Sequence, residues 1–322
     1  RGGGGGPGRG AVSLVLRGAV LRGRRIAPGA VAVAGGRVVP VAPRARAGEL
    51  PDGWIVVPGL VDLQVNGFAG AEVGDDPEAL AAVARALPAA GVTGFCPTLV
   101  SRSNRAYRRA ARALAAASWP AEGARALGVH LEGPFLAPAR AGAHDPRALR
   151  EPAPEAVARL ADLLRPRIVT LAPELPGAPD AIARLARAGA LVSLGHTDAD
   201  AEGGRRAIEA GARMVTHALN AMRGLERREP SALAAALLDR RVRIGLIGDG
   251  VHVAPEMTAL LARLAGPRLA LVSDATAAAG APPGRYRLAG RTVRSDGLRC
   301  LAGGRLAGSA AGLDRGPRTL VA

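Results

Sequence analysis

The histidine in Leu194-Gly195-His196-Thr197 and the histidine in Val215-Thr216-His217-Ala218 each close a short aliphatic or β-branched run. Upstream, Val129-His130-Leu131-Glu132-Gly133-Pro134 ends another apolar run on a carboxylate, and downstream the run 269–273 delivers Asp274. Two neutral imidazoles and a carboxylate can share a divalent ion while leaving a position open for water. A separate carboxylate beside that ion can shuttle protons. Residues of these types, each at the end of an apolar run, point to metal-assisted hydrolysis. One histidine so placed is as readily a hydrogen-bonded core imidazole; the set of three carries the reading.

Strand ends can be brought together by a repeated strand–helix unit, and the chain reads that way from Pro58 onward. Apolar runs cover 60–65, 91–96, 126–131, 167–171, 190–194, 213–216, 242–247 and 269–273. Between them lie amphipathic stretches at 77–90, 103–117, 154–164, 179–189, 200–211, 231–240 and 255–266. Asp76-Pro77-Glu78 offers a helix cap followed by Pro in the first turn, and Thr197-x-x-Asp200 resembles a capping box. Gly189, Gly211 and Gly266 stop three of the helices. The pattern predicts an α/β fold, a (β/α)8 barrel of the TIM type over 58–322, in which functional residues stand at the C-terminal strand ends. Glu132, His196, His217, Asp249 and Asp274 all fall there. A doubly wound open sheet is the runner-up, but no glycine-rich phosphate fingerprint follows any strand. Ahead of the barrel, 11–57 reads as a small β-sandwich module with short strands at 12–16, 30–34, 37–41 and 54–57.

At 322 residues and 48% hydrophobic content the chain can bury a large core, but with only 2% aromatic residues Leu, Val and Ala must fill it. No apolar run approaches the roughly 18 residues of a membrane span. The glycine-rich segment 1–10 lacks the charged-then-apolar order of a signal peptide and reads as a disordered leader; without an initiator Met it hints at a processed or partial end. Cys96 and Cys300 form neither a disulfide framework nor a metal spacing, which suits a reducing cytoplasm. All 43 basic residues are arginine, and the net charge is +16. They are scattered along helices (Arg102, Arg105, Arg108, Arg109, Arg112) without the stacking aromatics of a nucleic-acid groove. This reads as a solvated basic surface that favours anionic substrates.

In order and spacing, several segments resemble the N-acetylglucosamine-6-phosphate deacetylase family of metal-dependent amidohydrolases. They run from Pro58-Gly59-Leu60-Val61-Asp62 through His130–Phe135, Gly142-Ala143-His144, Gly195-His196-Thr197, Thr216-His217 and Asn220-Ala221-Met222. Arg228-Glu229-Pro230, Asp249-Gly250-Val251-His252, Ser273-Asp274-Ala275 and Leu306-Ala307-Gly308-Ser309 complete the set. The resemblance implies Glu132, His196 and His217 as ligands of one divalent ion, Zn2+ or Fe2+. Gln64-Val65-Asn66 stands where many superfamily members carry a His-x-His pair for a second ion, which implies a mononuclear site. Asp274 is implied as the catalytic acid/base and His144 as the group that polarises the acetyl carbonyl. Substrate contacts are implied at Gln64, Ala143, His144, Asn220, Ala221, Arg228, Asp249, Gly250, Val251, His252, Leu306, Ala307 and Gly308. Arg228 would reach a neighbouring subunit's substrate, implying a homodimer. His130 shares a strand face with Glu132, but the family gives it no ligand role, and it reads as core or support.

The implied reaction is hydrolysis of N-acetylglucosamine 6-phosphate to glucosamine 6-phosphate and acetate, in cytoplasmic amino-sugar catabolism or cell-wall recycling. The alternatives are the galactosamine epimer or another N-acyl amino sugar, an inactive truncated remnant and, at a distance, a nucleic-acid binder. Two departures from the family stand out. Ser231 replaces a usual Gly, and the chain stops at Ala322, where family members continue into further β-module strands. The segment 310–322 offers at most one short eighth helix, broken by Gly316-Pro317. Unpaired strand edges in the β module would then make a chain of this extent aggregation-prone or weakly active.

Overall fold

The computed structural model describes residues 12–321 apart from 24 and 43–45, so the leader at 1–10 lies outside the described residues. The chain divides into two units, Arg1–Gly59 and Leu60–Ala322. In the first, Val12–Arg22 and Arg25–Ala34 form one long antiparallel hairpin, where two short strands were expected at 12–16 and 30–34. The ladder runs on past Leu16: Gly18 pairs across the hairpin with Gly29, and both stay in register. Arg37–Val39 adds to one side; Gly48–Glu49 and Ile55–Val56 add in parallel to the other.

The second unit carries the expected barrel. Among the described residues its eight staves are Leu60–Val65, Val92–Val100, His130–Glu132, Ile168–Leu171, Leu191–Leu194, Met214–Val215, Arg243–Ile247 and Leu269–Val272. Each pairs in parallel with its neighbour along the chain. The first stave meets the eighth through a parallel Val65–Ala275 bridge and an Asn66 N–H donated to the Ala275 carbonyl at 2.7 Å. Helices alternate with the staves, from Pro77–Ala86 to Pro255–Ala265. Small and branched side chains fill the interior, with Phe95, Tyr107 and Phe135 among the few large aromatics fully buried.

Local signals explain most boundaries. Asp76 caps the first helix by accepting from the Glu78 N–H at 3.0 Å. The expected capping box at Thr197 is not formed: Asp200 caps its helix by accepting from Gly203 N–H, and the Thr197 hydroxyl donates instead to Glu174. The run 126–131 is not one strand. It splits into Arg125–Ala126 and His130–Glu132 around Gly128, whose φ of 122° takes the backbone out of extended geometry. After the eighth stave comes a sheet that was not expected, Gly284–Leu288, Arg291–Ser295, Arg299–Ala302 and Arg305–Ser309, all antiparallel. Gly316-Pro317 does not break the eighth helix but lies in the first turn of Arg315–Val321, where a missing N–H costs no intrahelical bond.

Candidate active site

Glu132 is the last residue of the third stave, and the other three chemical residues share one geometry. His196, His217 and Asp274 each stand two positions past the last residue of their stave. All three have left-handed backbones, with φ of 50°, 28° and 51°. Residues other than glycine seldom adopt this region, and such positions gather at functional sites. Glycine must precede His196: a Cβ on Gly195 would lie 2.9 Å from Thr170 Cγ2 and 2.9 Å from Thr216 Cβ.

Glu132, His196 and His217 converge, their ligand atoms all within 4.8 Å of one another, and all three are buried. His196 Nδ1 donates to the Arg140 carbonyl at 2.9 Å, which leaves the Nε2 lone pair facing the site. That Nε2 lies 3.2 Å from His217 Nε2, and the two nitrogens are 3.3 Å and 3.0 Å from Glu132 Oε1. Burial pushes the Glu132 carboxyl up, but the adjoining His196 and His217 imidazoles more than offset it and hold the pKa well below the usual range. Burial pushes His217 down, and the adjacent Glu132 carboxylate outweighs that and raises it. Three donors this close call for positive charge between them. Two imidazoles and one carboxylate, with the ring orientation of one fixed by a carbonyl behind it, fit a divalent ion.

Two amides tie the trio to Asp274. Gln64 Nε2 donates to Glu132 Oε1 at 2.8 Å and to Asp274 Oδ1 at 3.0 Å; Asn66 Nδ2 donates to the same Asp274 oxygen at 2.7 Å. Both amides use their donors on carboxylates, so they hold the acid/base rather than mimic the superfamily's histidine pair. Burial, reinforced by the Glu132 charge, pushes the Asp274 carboxyl above the ordinary aspartate range. Asp274 Oδ1 is occupied by the two amides, so Oδ2 is the oxygen suited to carrying a proton.

His144 stands opposite, with Nε2 3.7 Å from Glu132 Oε2. The Ser101 backbone N–H donates to its Nδ1 at 3.2 Å, so that nitrogen is the acceptor and Nε2 carries the hydrogen. Burial, then the neighbouring His196, pushes its pKa down to about 3. His144 is therefore a neutral donor aimed into the site. Ser101 was not legible as a site residue; only the fold brings it 43 positions along to His144.

A cavity of about 210 Å³ opens above these groups. Of the sequence-inferred contacts, Ala143, His144, Asn220, Ala221, His252, Leu306 and Gly308 line it. Gln64 does not: it is buried beneath, between the two carboxylates. Ala307 is buried in a small apolar cluster with Val293 and Cys300. Asp249 acts through its neighbours, accepting from His252 Nδ1 at 2.7 Å and from the Ser309 hydroxyl at 2.9 Å. Burial raises that carboxyl, but His252 and two backbone N–H groups outweigh it and hold the pKa down. Gly250 and Val251 line a separate depression beside Arg315 and Thr319. Arg228 is exposed and does not line the cavity. Arg291 and Leu288, from the unexpected sheet, do line it; nothing in their local sequence marks them as part of a site.

A (β/α)8 barrel with a Glu/His/His cluster and an aspartate at its final strand defines a metal-dependent amidohydrolase. The N-acetylglucosamine-6-phosphate deacetylase of Danio rerio is 37% identical over 275 residues, covering 81% of this chain and 68% of that protein. The N-acetylgalactosamine-6-phosphate deacetylase of Escherichia coli O157:H7 is 37% identical over 306 residues, covering 92% and 78%. A mutant N-acetyl-D-glucosamine-6-phosphate deacetylase from Mycobacterium smegmatis, solved in complex with N-acetyl-D-glucosamine-6-phosphate, superposes with a TM-score of 0.88 at 35% identity, covering 95% of this chain and 82% of that one. No family model matches the sequence. The chain belongs to the N-acetylglucosamine-6-phosphate deacetylase family.

Proposed function

We propose that this chain hydrolyses the N-acetyl amide of N-acetylglucosamine 6-phosphate, releasing glucosamine 6-phosphate and acetate. The observation that carries the reading is the Glu132–His196–His217 cluster joined by Gln64 to the Asp274 carboxylate. A divalent ion in this cradle, Zn2+ or Fe2+, would supply a Lewis acid that makes water acidic near neutral pH. Asp274 takes a proton from the attacking water and returns it to the amine nitrogen as the C–N bond breaks. His144 donates its Nε2–H to the acetyl oxygen, where negative charge grows in the transition state. Ala143, Asn220, Ala221, His252, Leu306 and Gly308 shape the sugar-phosphate pocket. In this reading Arg228, which is exposed and outside the cavity lining, serves the substrate of a second copy in a homodimer. The two unpaired, buried cysteines suit the cytoplasm, and no described helix is long and apolar enough to cross a membrane.

A second reading keeps the chemistry and changes the sugar. It is favoured by the Escherichia coli relative, which is named for the galactosamine epimer and matches as well as the glucosamine enzymes do. Acetate release from the two epimeric N-acetylhexosamine 6-phosphates separates these readings. The account predicts turnover with a preference for the glucosamine form. A reversed preference selects the second reading, and no release from either, with metal supplied, refutes both.

A further inference from the structure

The mouth of the cavity is built partly by the sheet that follows the eighth stave. Gly284–Leu288 and Arg291–Ser295 form an antiparallel hairpin whose last pair is Leu288 with Arg291. Its two-residue tip, Ala289-Gly290, has φ of 49° and 83°. Two positive φ angles in a two-residue loop are the type I′ arrangement, whose twist matches that of the strands it joins. The tip is fixed from the side by the Glu72 carboxylate, which accepts from the Ala289 N–H. Arg291 thus reaches the cavity from a braced strand end and not from a free loop.

Arg291 Nη1 donates to the Ala143 carbonyl at 2.8 Å and to the His144 carbonyl at 3.3 Å. Among the described residues, its Nε and Nη2 groups have no protein acceptor, and no carboxylate forms an ion pair with it. The carboxylates that could have done so are engaged elsewhere: Asp145 on the cavity wall pairs with Arg147 at 2.9 Å, and Glu72 holds Ala289. Arg291 is also the one arginine among the described residues that lines the cavity. A guanidinium anchored by one nitrogen and open at the others presents a planar donor fork, the geometry that takes two oxygens of a phosphate at once.

We propose that Arg291 grips the phosphate of the substrate from within the same chain and selects phosphorylated over neutral amino sugars. The inference rests on the sugar-phosphate reading above. It is independent of Arg228, which does not line the cavity. The same side chain, through Ala143 and His144, couples phosphate capture to the segment that carries the acetyl-polarising imidazole.

Steady-state kinetics on N-acetylglucosamine 6-phosphate and on N-acetylglucosamine, with inorganic phosphate as competitor, test this for wild type, Arg291→Gln and Arg291→Lys. Loss of a charge-assisted phosphate contact predicts that Arg291→Gln lowers the preference for the phosphorylated sugar about tenfold or more and weakens phosphate inhibition by a similar factor. Arg291→Lys, which keeps the charge, recovers most of both. Equal losses of kcat on the two sugars with unchanged phosphate inhibition would overturn the proposal and leave Arg291 as a clamp on the Ala143–His144 segment. If wild type releases acetate from neither sugar, the deacetylase reading falls. Calorimetric binding of inorganic phosphate to wild type and Arg291→Gln then still decides the role of Arg291: equal affinities refute it.

Discussion

His130 and His217 are both buried imidazoles inside one barrel, and their surroundings treat them in opposite ways. His130 Nδ1 donates to the Leu63 carbonyl at 3.0 Å, so its Nε2 must accept, and it does so from the Thr170 hydroxyl at 2.8 Å. That orientation obliges Thr216 to donate to Thr170 at 2.7 Å and Ser193 to donate to Thr216 at 2.6 Å. Every member of this layer has its partner, and burial pushes His130 down to a pKa of about 4. One step nearer the mouth, on the same strand as His130, Glu132 faces His196 and His217 with lone pairs turned toward one another. The lower layer spends its polar groups on itself; the upper layer keeps them for a ligand. Residue type does not separate structural from functional histidines here, but completeness of hydrogen bonding does.

The contrast predicts that changes in the upper layer cost activity before stability and that changes in the lower layer do the reverse. Asp274→Asn should cut turnover by at least about 10²-fold, the lower scale of acid–base assistance, while leaving melting and metal content nearly unchanged. Burial and Glu132 raise the Asp274 carboxyl, so wild-type kcat should fall with acid along a limb lying above the ordinary aspartate range. An Asn variant with near wild-type turnover would remove Asp274 from the chemistry.

Asp62, buried on the first stave, is structural but lacks the complete hydrogen bonding of the His130 layer. Its Oδ1 accepts from the Ser273 N–H at 3.1 Å and the Gln64 N–H at 3.3 Å, its Oδ2 has no partner, and burial pushes its pKa up to about 6. A carboxyl with a raised folded-state pKa binds protons more tightly when folded. Its penalty is therefore absent below the unfolded value and grows as pH rises through that value to about 6. Asp62→Asn keeps the acceptor and removes the charge. Thermal denaturation should show the variant gaining on wild type between pH 4 and 7, by at most about 3 kcal/mol. A difference that is flat with pH would mean that the Asp62 charge is not what burial opposes.

Much of this was legible because the chemistry sits at strand ends that the apolar runs mark. Glu132, His196, His217 and Asp274 each follow such a run, and the barrel follows from their alternation with capped helices. What was not legible depends on distance or on weak local signals. The split at Gly128 hides inside a run whose composition looks continuous. The strands of the sheet over 284–309 are interrupted by Arg285, Arg287, Arg291 and Arg294, so they lack the hydrophobic runs that marked the staves. Ser101 and Arg291 enter the site through backbone contacts with the His144 segment, which no spacing along the chain reveals. Gln64 was placed against substrate by family resemblance, whereas here its amide is consumed by two carboxylates.

Metal content per chain tests the central contrast most directly, measured for wild type, His196→Ala and His130→Ala purified with the same divalent metal. The account predicts one ion per chain in wild type and none in His196→Ala, which should nevertheless stay folded. His130→Ala should melt at lower temperature, with the Thr170 hydroxyl proton and the Leu63 carbonyl deprived of their imidazole partner, and yet retain its ion. Two ions per active chain, or an ion retained without His196 and lost without His130, would contradict it.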